Sequence, residues 1–232
     1  MNAPGIGAAP AMALVALCGC ATPHAAAVGV SPGAGRQADA DYYRTRAVVL
    51  EDRVMAEVAR TEFVRFRRGR LYGGGGHPAL DRALNEELTT AFDTNNHAAI
   101  VATTGRMLAS DQTDIRAHML RGIALRQLNR PAAADFHRAV AVGLLKSISA
   151  SGDGLGFKSA WTVFQVKEEY ELLKAAGYQV ESQSLEEKGQ RMFEVVEAKK
   201  PDGREKLRVY FDVTELFAEG ERRVGLRPAT AP

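Results

Sequence analysis

The fold is decided by residues 193–213, which read FEVVEAKKPDGREKLRVYFDV. Polar and apolar residues alternate on both sides of the turn signal Pro201-Asp202-Gly203, and strict alternation is typical of strands with one buried face. The apolar positions are Phe193 and Val195 before the turn, and Leu207, Val209, Phe211 and Val213 after it. This stretch therefore predicts a β-hairpin.

The residues just before the hairpin predict one more strand and one helix. Residues 161–166 are apolar on both faces, as in a buried strand. Residues 168–176 have helical spacing, and Gly177 is suited to end the helix in a left-handed conformation. We therefore expect residues 147–219 to form a small β-α-β-β unit with an antiparallel sheet, followed by a disordered tail over 220–232.

The first part of the folded chain is predicted to be helical, over residues 41–146. Apolar residues recur at three- and four-residue steps, which predicts helices over 41–60, 79–93, 97–109, 113–128 and 131–145. Residues 117–139 resemble a tetratricopeptide repeat, with Gly122 and Ala132 allowing close helix contact and Phe136 filling the space between helices. The fold class expected is α+β, with tetratricopeptide-like αα-hairpins followed by the small sheet unit.

The N-terminal residues predict export. A short apolar run over residues 11–17 leads into Leu17-Cys18-Gly19-Cys20-Ala21, which resembles the lipobox of bacterial lipoproteins. The resemblance implies a signal peptide over residues 1–20, with Cys20 retained as the lipidated residue. Ala21, directly after the lipidated cysteine, implies that the protein is sorted to the outer membrane and faces the periplasm. Residues 21–40 are expected to be a flexible linker. The alternatives are a secreted or soluble periplasmic protein cleaved near Ala25-Ala26-Ala27, and a disordered apolar tail.

Several short segments resemble one bacterial family, catalogued as domain of unknown function 4919. They occur in the family's order after two helix pairs, and they are residues 147–154 (SISASGDG), 168–170 (EEY), 183–185 (QSL) and 210–213 (YFDV). The resemblance covers about residues 45–215. It implies an exported or lipoprotein context and no established activity.

Composition excludes several classes of site. The only cysteines are Cys18 and Cys20, so the folded part has no disulfide, thiol nucleophile or cysteine metal ligand. The five histidines show no metal-ligand spacing, and no Gly-x-Ser-x-Gly sequence occurs. We therefore predict no metal, no cofactor and no catalytic residue. The net charge of +2 argues against a nucleic-acid partner.

A polar cleft between the two predicted parts is the first candidate site, because junctions between domains are common ligand sites. Its candidate residues are Ser147, Ser151, Asp153, Glu168, Glu169 and Tyr170. In the alternative interpretation the hydroxyls cap helix and strand ends, Asp153 closes a turn, and the glutamates lie in a solvated first helical turn.

A run of arginines and aromatic residues over 60–72 is the second candidate. Arg65, Arg67, Arg68 and Arg70 could contact anionic lipid, each contributing about 1 kcal/mol near a charged surface. The alternative is a helix with Phe63 and Phe66 in the core and with its arginines solvated or ion-paired.

Together these observations predict an envelope lipoprotein that serves as a non-catalytic protein- or peptide-binding or assembly module. Its expected contacts are a protein or peptide partner in the cell envelope and the membrane, through the lipid. The alternative function is an envelope hydrolase or small-ligand binder that uses the loop Ser147–Gly156.

Overall fold

A computed structural model describes residues 32–46, 60–74, 78–200 and 205–226, and confirms the α+β class. The elements in chain order are α1 (Pro32–Arg46), α2 (Arg60–Gly73), α3 (Pro78–Asp93), α4 (His97–Ser110), α5 (Ile115–Gln127), α6 (Pro131–Ser149), β1 (Trp161–Thr162), α7 (Val166–Ala175), β2 (Gln179–Lys188), β3 (Arg191–Lys199), β4 (Lys206–Asp212) and α8 (Thr214–Arg223). Cys20 and the turn at 201–203 lie outside the described residues. None of the helices within the described ranges is long and apolar enough to cross a membrane.

The N-terminal helix starts earlier than the sequence suggested. Helix α1 covers 32–40, which was predicted as linker, so that prediction is wrong for these residues. Helix α1 includes these residues because it packs on α2, where Gly69 and Gly73 let the backbones of the two helices approach closely. A Cβ at Gly69 would overlap the carbonyl oxygen of Asp39, and one at Gly73 would lie 3.2 Å from Ala40 Cα. Residues 47–59 of the helix predicted over 41–60 lie outside the described residues.

The four helices predicted between 79 and 145 are present, and local capping explains their starts. The Asn96 side chain accepts a hydrogen bond from the Ala99 N–H at the start of α4, and Asp114 accepts one from Ala117 at the start of α5. Pro131 occupies the first turn of α6. Helix α6 continues four residues past the predicted end because Ser147 and Ile148 are buried in the core.

The sheet has the order β1-β4-β3-β2, and two features differ from the prediction. Strand β2 was not predicted, because nearly all of its side chains are exposed and it shows no apolar alternation. Strand β1 has two residues rather than six, and it pairs parallel to β4. The sheet is therefore mixed rather than wholly antiparallel. The antiparallel pairing of β3 with β4 is the predicted hairpin.

The C-terminal helix α8 was also missed, and residues 220–223 were wrongly placed in a disordered tail. Three hydrogen bonds hold this last turn. Glu219 accepts hydrogen bonds from Arg222 and Arg223, and Arg223 also donates to the carbonyl oxygen of Leu71 in α2. These contacts anchor the end of the helix to the N-terminal part of the chain.

One hydrophobic core spans both parts of the protein. It combines Phe63 and Phe66 of α2 and Leu144 of α6 with Leu173 of α7 and Phe211 of β4. All five side chains are at least 96% buried. The helical part and the sheet unit therefore share their principal core.

We predict that the two parts unfold together in one transition, because neither buries its core residues alone. Trp161 reports on the sheet, since its ring lies 5.7 Å from Phe211 and its indole N–H donates to the Gly152 carbonyl oxygen at 2.9 Å. Trp161 fluorescence and helix-sensitive far-UV circular dichroism should give coincident urea curves. Two separated transitions, one silent in Trp161 fluorescence, would contradict the shared core.

Candidate functional site

A cleft of about 520 Å³ lies where the helices meet α7 and α8. Its volume falls within the range of small-molecule and peptide-side-chain sites. Apolar side chains from the helical part and from the sheet unit line the cleft, including Leu71, Met107, Val166 and Leu216. Tyr170 also lines it, and 40% of the surface of this residue is exposed. The cleft lies at the junction of the helical part and the sheet unit, and of the six residues predicted for a polar cleft it contains Tyr170 alone.

The wall of the cleft is an ion-pair network around Asp111. The Asp111 carboxylate lies 3.2 Å from Arg70 Nε and 2.6 Å from Lys167 Nζ, and Lys167 also bonds Asp114 at 2.8 Å. Burial alone would raise the pKa of Asp111, but Lys167 and Arg70 lower it below its ordinary value. Burial would likewise lower the pKa of Lys167, yet Asp111 and Asp114 raise it. The network therefore stays charged at neutral pH.

The charges of the cleft are balanced. Four cationic residues face four acidic ones around it: Arg70, Arg116, Lys167 and Arg223, and Asp81, Asp111, Asp114 and Glu171. Within the part of the chain that the structure describes, no Ser, Thr, Cys or His lines the cleft. Because the buried acid Asp111 is held ionised by cations, it is a poor proton donor.

Behind the cleft lies a buried ion pair between α2 and α7. Arg67 donates to both carboxylate oxygens of Glu168, at 2.8 and 2.7 Å, and both side chains are 1% exposed. The guanidinium also donates to Ser147 Oγ at 3.1 Å and to the Thr162 carbonyl oxygen at 2.9 Å. Glu168 accepts the Phe164 N–H at 2.9 Å. One arginine thus connects four elements around the junction.

A second buried carboxylate, Glu169, has no cationic partner among the described residues. Its side chain is 1% exposed and faces Glu194 of β3, and neither carboxylate oxygen makes a well-aligned hydrogen bond. Burial raises the pKa of Glu169 to about 9, and the nearby Glu194 adds to this effect. Burial also raises the pKa of Glu194. Glu169 is therefore protonated in the folded protein at neutral pH.

Two histidines link α5 and α6 through a directed chain of hydrogen bonds. Arg121 donates to His137 Nε2 at 2.9 Å, the two Nδ1 atoms lie 2.9 Å apart, and His118 Nε2 lies 3.0 Å from the Gln112 carbonyl oxygen. His137 Nε2 accepts from Arg121, so in a neutral ring the proton of His137 is on Nδ1. His118 Nε2 donates to the Gln112 carbonyl oxygen, so His118 Nδ1 accepts the proton of His137 Nδ1–H, and both rings are neutral. Burial lowers the pKa of His118 to about 4 and that of His137 to about 3. The pair is a structural contact between the helices. Among the described residues, no group of three or more His, Cys, Asp or Glu is placed to hold a metal ion.

The structure disperses the six residues of the predicted polar cleft. Tyr170 lines the observed cleft and donates to Gln183. Ser147 and Glu168 are buried in the Arg67 network, and Glu169 is buried against the sheet. The alternative interpretation, a solvated first turn for the two glutamates, is therefore wrong as well.

The remaining two residues of that set stabilise the loop before β1. Ser151 Oγ donates to the Ile148 carbonyl oxygen at 2.6 Å and accepts the Thr162 N–H at 2.8 Å. Asp153 accepts the Leu155 N–H at 2.8 Å and the Ser159 hydroxyl at 2.5 Å. These contacts correspond to the capping and turn-closing roles weighed in the sequence.

The arginine run of α2 lies mostly inside the protein. Arg67 and Arg70 are 1% and 7% exposed and bind carboxylates, so they are not available to a membrane surface. Arg65 and Arg68 are partly exposed, and both pair with Asp39 of α1. Phe63 and Phe66 are buried in the core, as the alternative interpretation had it.

The architecture defines a class: an α+β protein whose sequential helices share one core with a small mixed sheet. The family described as Domain of unknown function (DUF4919) matches residues 79–222, and the chain belongs to this family. The sequence resemblance is therefore confirmed. No curated protein and no solved structure matches the chain.

Proposed function

We propose that this protein is an exported lipoprotein whose folded part binds a protein or peptide segment in the junction cleft. The observation that carries the proposal is the cleft's lining, in which apolar groups lie beside charges of both signs. A polypeptide segment offers apolar side chains together with polar backbone and charged groups, and such a lining is complementary to it.

The alternative of a hydrolase at the loop Ser147–Gly156 has less support. Its polar side chains already bond to neighbouring atoms of the loop, α6 and β1. Asp153, for example, is occupied by Leu155 and Ser159, and Ser151 by Ile148 and Thr162. A catalytic serine needs a base within hydrogen-bond reach. The serines of this loop bond to backbone groups instead, and Ser147 also accepts a hydrogen bond from Arg67.

We predict that a photo-crosslinking amino acid at Tyr170 joins the protein to one discrete envelope partner in living cells. Ile123 is the matched control, because it is 57% exposed and does not line the cleft. Arg116→Gln, which removes one cleft cation that donates to Asn85 at 2.9 Å, should weaken the Tyr170 crosslink by about fivefold. Binding in the cleft would be contradicted if Tyr170 and Ile123 gave the same crosslinked bands and Arg116→Gln left those bands unchanged.

The lipid anchor rests on the lipobox resemblance at Leu17-Cys18-Gly19-Cys20. We predict that cells fed labelled palmitate incorporate it into the wild-type chain and into Cys18→Ala, but not into Cys20→Ala. Equal labelling of wild type and Cys20→Ala would show that the protein is not lipidated at this residue. If only Cys18→Ala lost the label, Cys18 would be the lipidated residue.

A further inference from the structure

A second surface combines exposed cations with an exposed apolar side chain, on the sheet face that α7 does not cover. We call it the basic rim and define it as Leu155, Lys158, Lys188 and Arg191. These residues border an open groove of about 480 Å³ whose floor includes Phe157 and Phe193. The rim is formed by two adjacent tips, the loop before β1 and the turn between β2 and β3.

The positive charge of the basic rim is only partly compensated. Lys158 and Lys188 are exposed and form no ion pair with any residue that the structure describes, while Arg191 donates to Asp212 at 2.6 Å. The Lys188 ammonium lies 5.8 Å from the centre of the Phe157 ring, which directs it over the groove. Two lysine charges therefore remain for an external anionic partner.

Leu155 is held in its exposed position by the rigid backbone around it. It is 67% exposed, yet its N–H donates to Asp153 at 2.8 Å. The preceding Gly154 has a φ of 71°, and its carbonyl oxygen accepts the Tyr210 N–H at 2.9 Å. Phe157 packs edge-to-face on Phe193, with ring centres 5.0 Å apart. The fold thus presents an apolar tip at fixed geometry beside two unpaired lysines.

We propose that the basic rim rests on an anionic lipid bilayer, with Leu155 entering the interface and the cations among the headgroups. Apolar groups surrounded by cations are what peripheral membrane contact requires, because each lysine is attracted to anionic headgroups while the leucine leaves water. The inference builds on the proposed lipid anchor, which would keep this surface near a membrane. The proposal places the lipid contact at Lys158 and Lys188, which form no ion pair with any described residue. The arginines of α2, by contrast, pair with carboxylates of the protein itself.

The test uses the unlipidated chain from Ala21 to Pro232, so that its result is independent of lipidation. Co-sedimentation is measured with vesicles of phosphatidylcholine alone and with vesicles containing about 30% phosphatidylglycerol. The wild type should bind the anionic vesicles at least about tenfold more tightly, and the difference should shrink at high salt. Equal binding to both vesicles, or no binding, overturns the proposal even if Cys20 is lipidated in cells.

Variants separate the basic rim from general electrostatic attraction. The double variant Lys158→Gln/Lys188→Gln and the single variant Leu155→Ser should each lower binding by about fivefold or more. The matched controls Lys146→Gln/Lys174→Gln and Ile123→Ser alter exposed residues elsewhere and should stay within about twofold. An equal loss of vesicle binding in the control variants overturns the assignment to the basic rim. Full competition by inorganic phosphate also overturns it, because that result would indicate a small-anion site. All these side chains are exposed, and Trp161 fluorescence verifies that each variant is folded.

Discussion

Arg67→Met should destabilise the protein by about 3–5 kcal/mol, because it leaves the Glu168 carboxylate buried without its cation. The two side chains are among the most deeply buried in the protein. The substitution also removes the donors to Ser147 and to the Thr162 carbonyl oxygen. Urea unfolding monitored by Trp161 fluorescence measures the loss.

Two further variants distinguish the lost charge pair from lost packing. In Arg67→Met/Glu168→Gln the unpaired charge is gone, while the amide oxygen still accepts the Phe164 N–H, so at least half of the loss should be recovered. The control Arg126→Met breaks a pair with Asp135 in which both side chains are more than half exposed, and it should cost less than about 1 kcal/mol. A double variant no more stable than Arg67→Met would show that packing, and not the buried charge, dominates.

Glu169→Gln should stabilise the protein at alkaline pH. The folded protein holds a proton on Glu169 up to about pH 9, whereas an unfolded glutamate releases it near its ordinary value of about 4.3. Between these values the folded state binds the extra proton, so the free energy of unfolding falls as the pH rises. The slope for one proton is about 1.4 kcal/mol per pH unit, so the contribution of Glu169 to the wild type should fall by about 2.5 kcal/mol between pH 6.5 and 8.5.

The glutamine variant should lose most of this pH dependence, because its amide does not titrate. The buried pair His118 and His137 titrates in the unfolded chain at the lower end of this interval and contributes with the opposite sign, but it does so equally in wild type and variant, so the difference between the two curves measures Glu169. Glu187→Gln, an exposed substitution on β2, is the control and should keep the wild-type slope. Parallel curves for wild type and Glu169→Gln would show that Glu169 is already ionised at neutral pH in the folded protein.

Part of the local structure of this protein could be derived from short stretches of sequence. The alternation over 193–213 gave the hairpin, and Asn96, Asp114 and Pro131 set the helix starts through their own side chains. Gly177 ends α7 with a φ of 78°, as predicted. Each of these signals acts over a few residues, within reach of a single turn or strand pair. The lipobox at Cys20 is a signal of the same kind, and lipidation there stays a prediction.

Strand β2 and helix α8 could not be derived in this way. The side chains of β2 are exposed on both faces, so its pairing with β3 leaves no apolar alternation to recognise. The last turn of α8 is held by Arg223, whose partner at Leu71 lies 152 residues away. Neither signal is present in the local sequence.

The candidate sites were decided by the tertiary structure. Glu168 and Glu169 are neighbours in the first turn of α7, where glutamates are ordinarily solvated. In the fold, one receives a guanidinium from a residue 101 positions away, and the other faces a second carboxylate from β3. Burial removes the solvent that would otherwise make both side chains equivalent, and the partners that replace it come from distant segments. The charge state of each glutamate, and the residues left to line the cleft, therefore depend on contacts that only the folded chain creates.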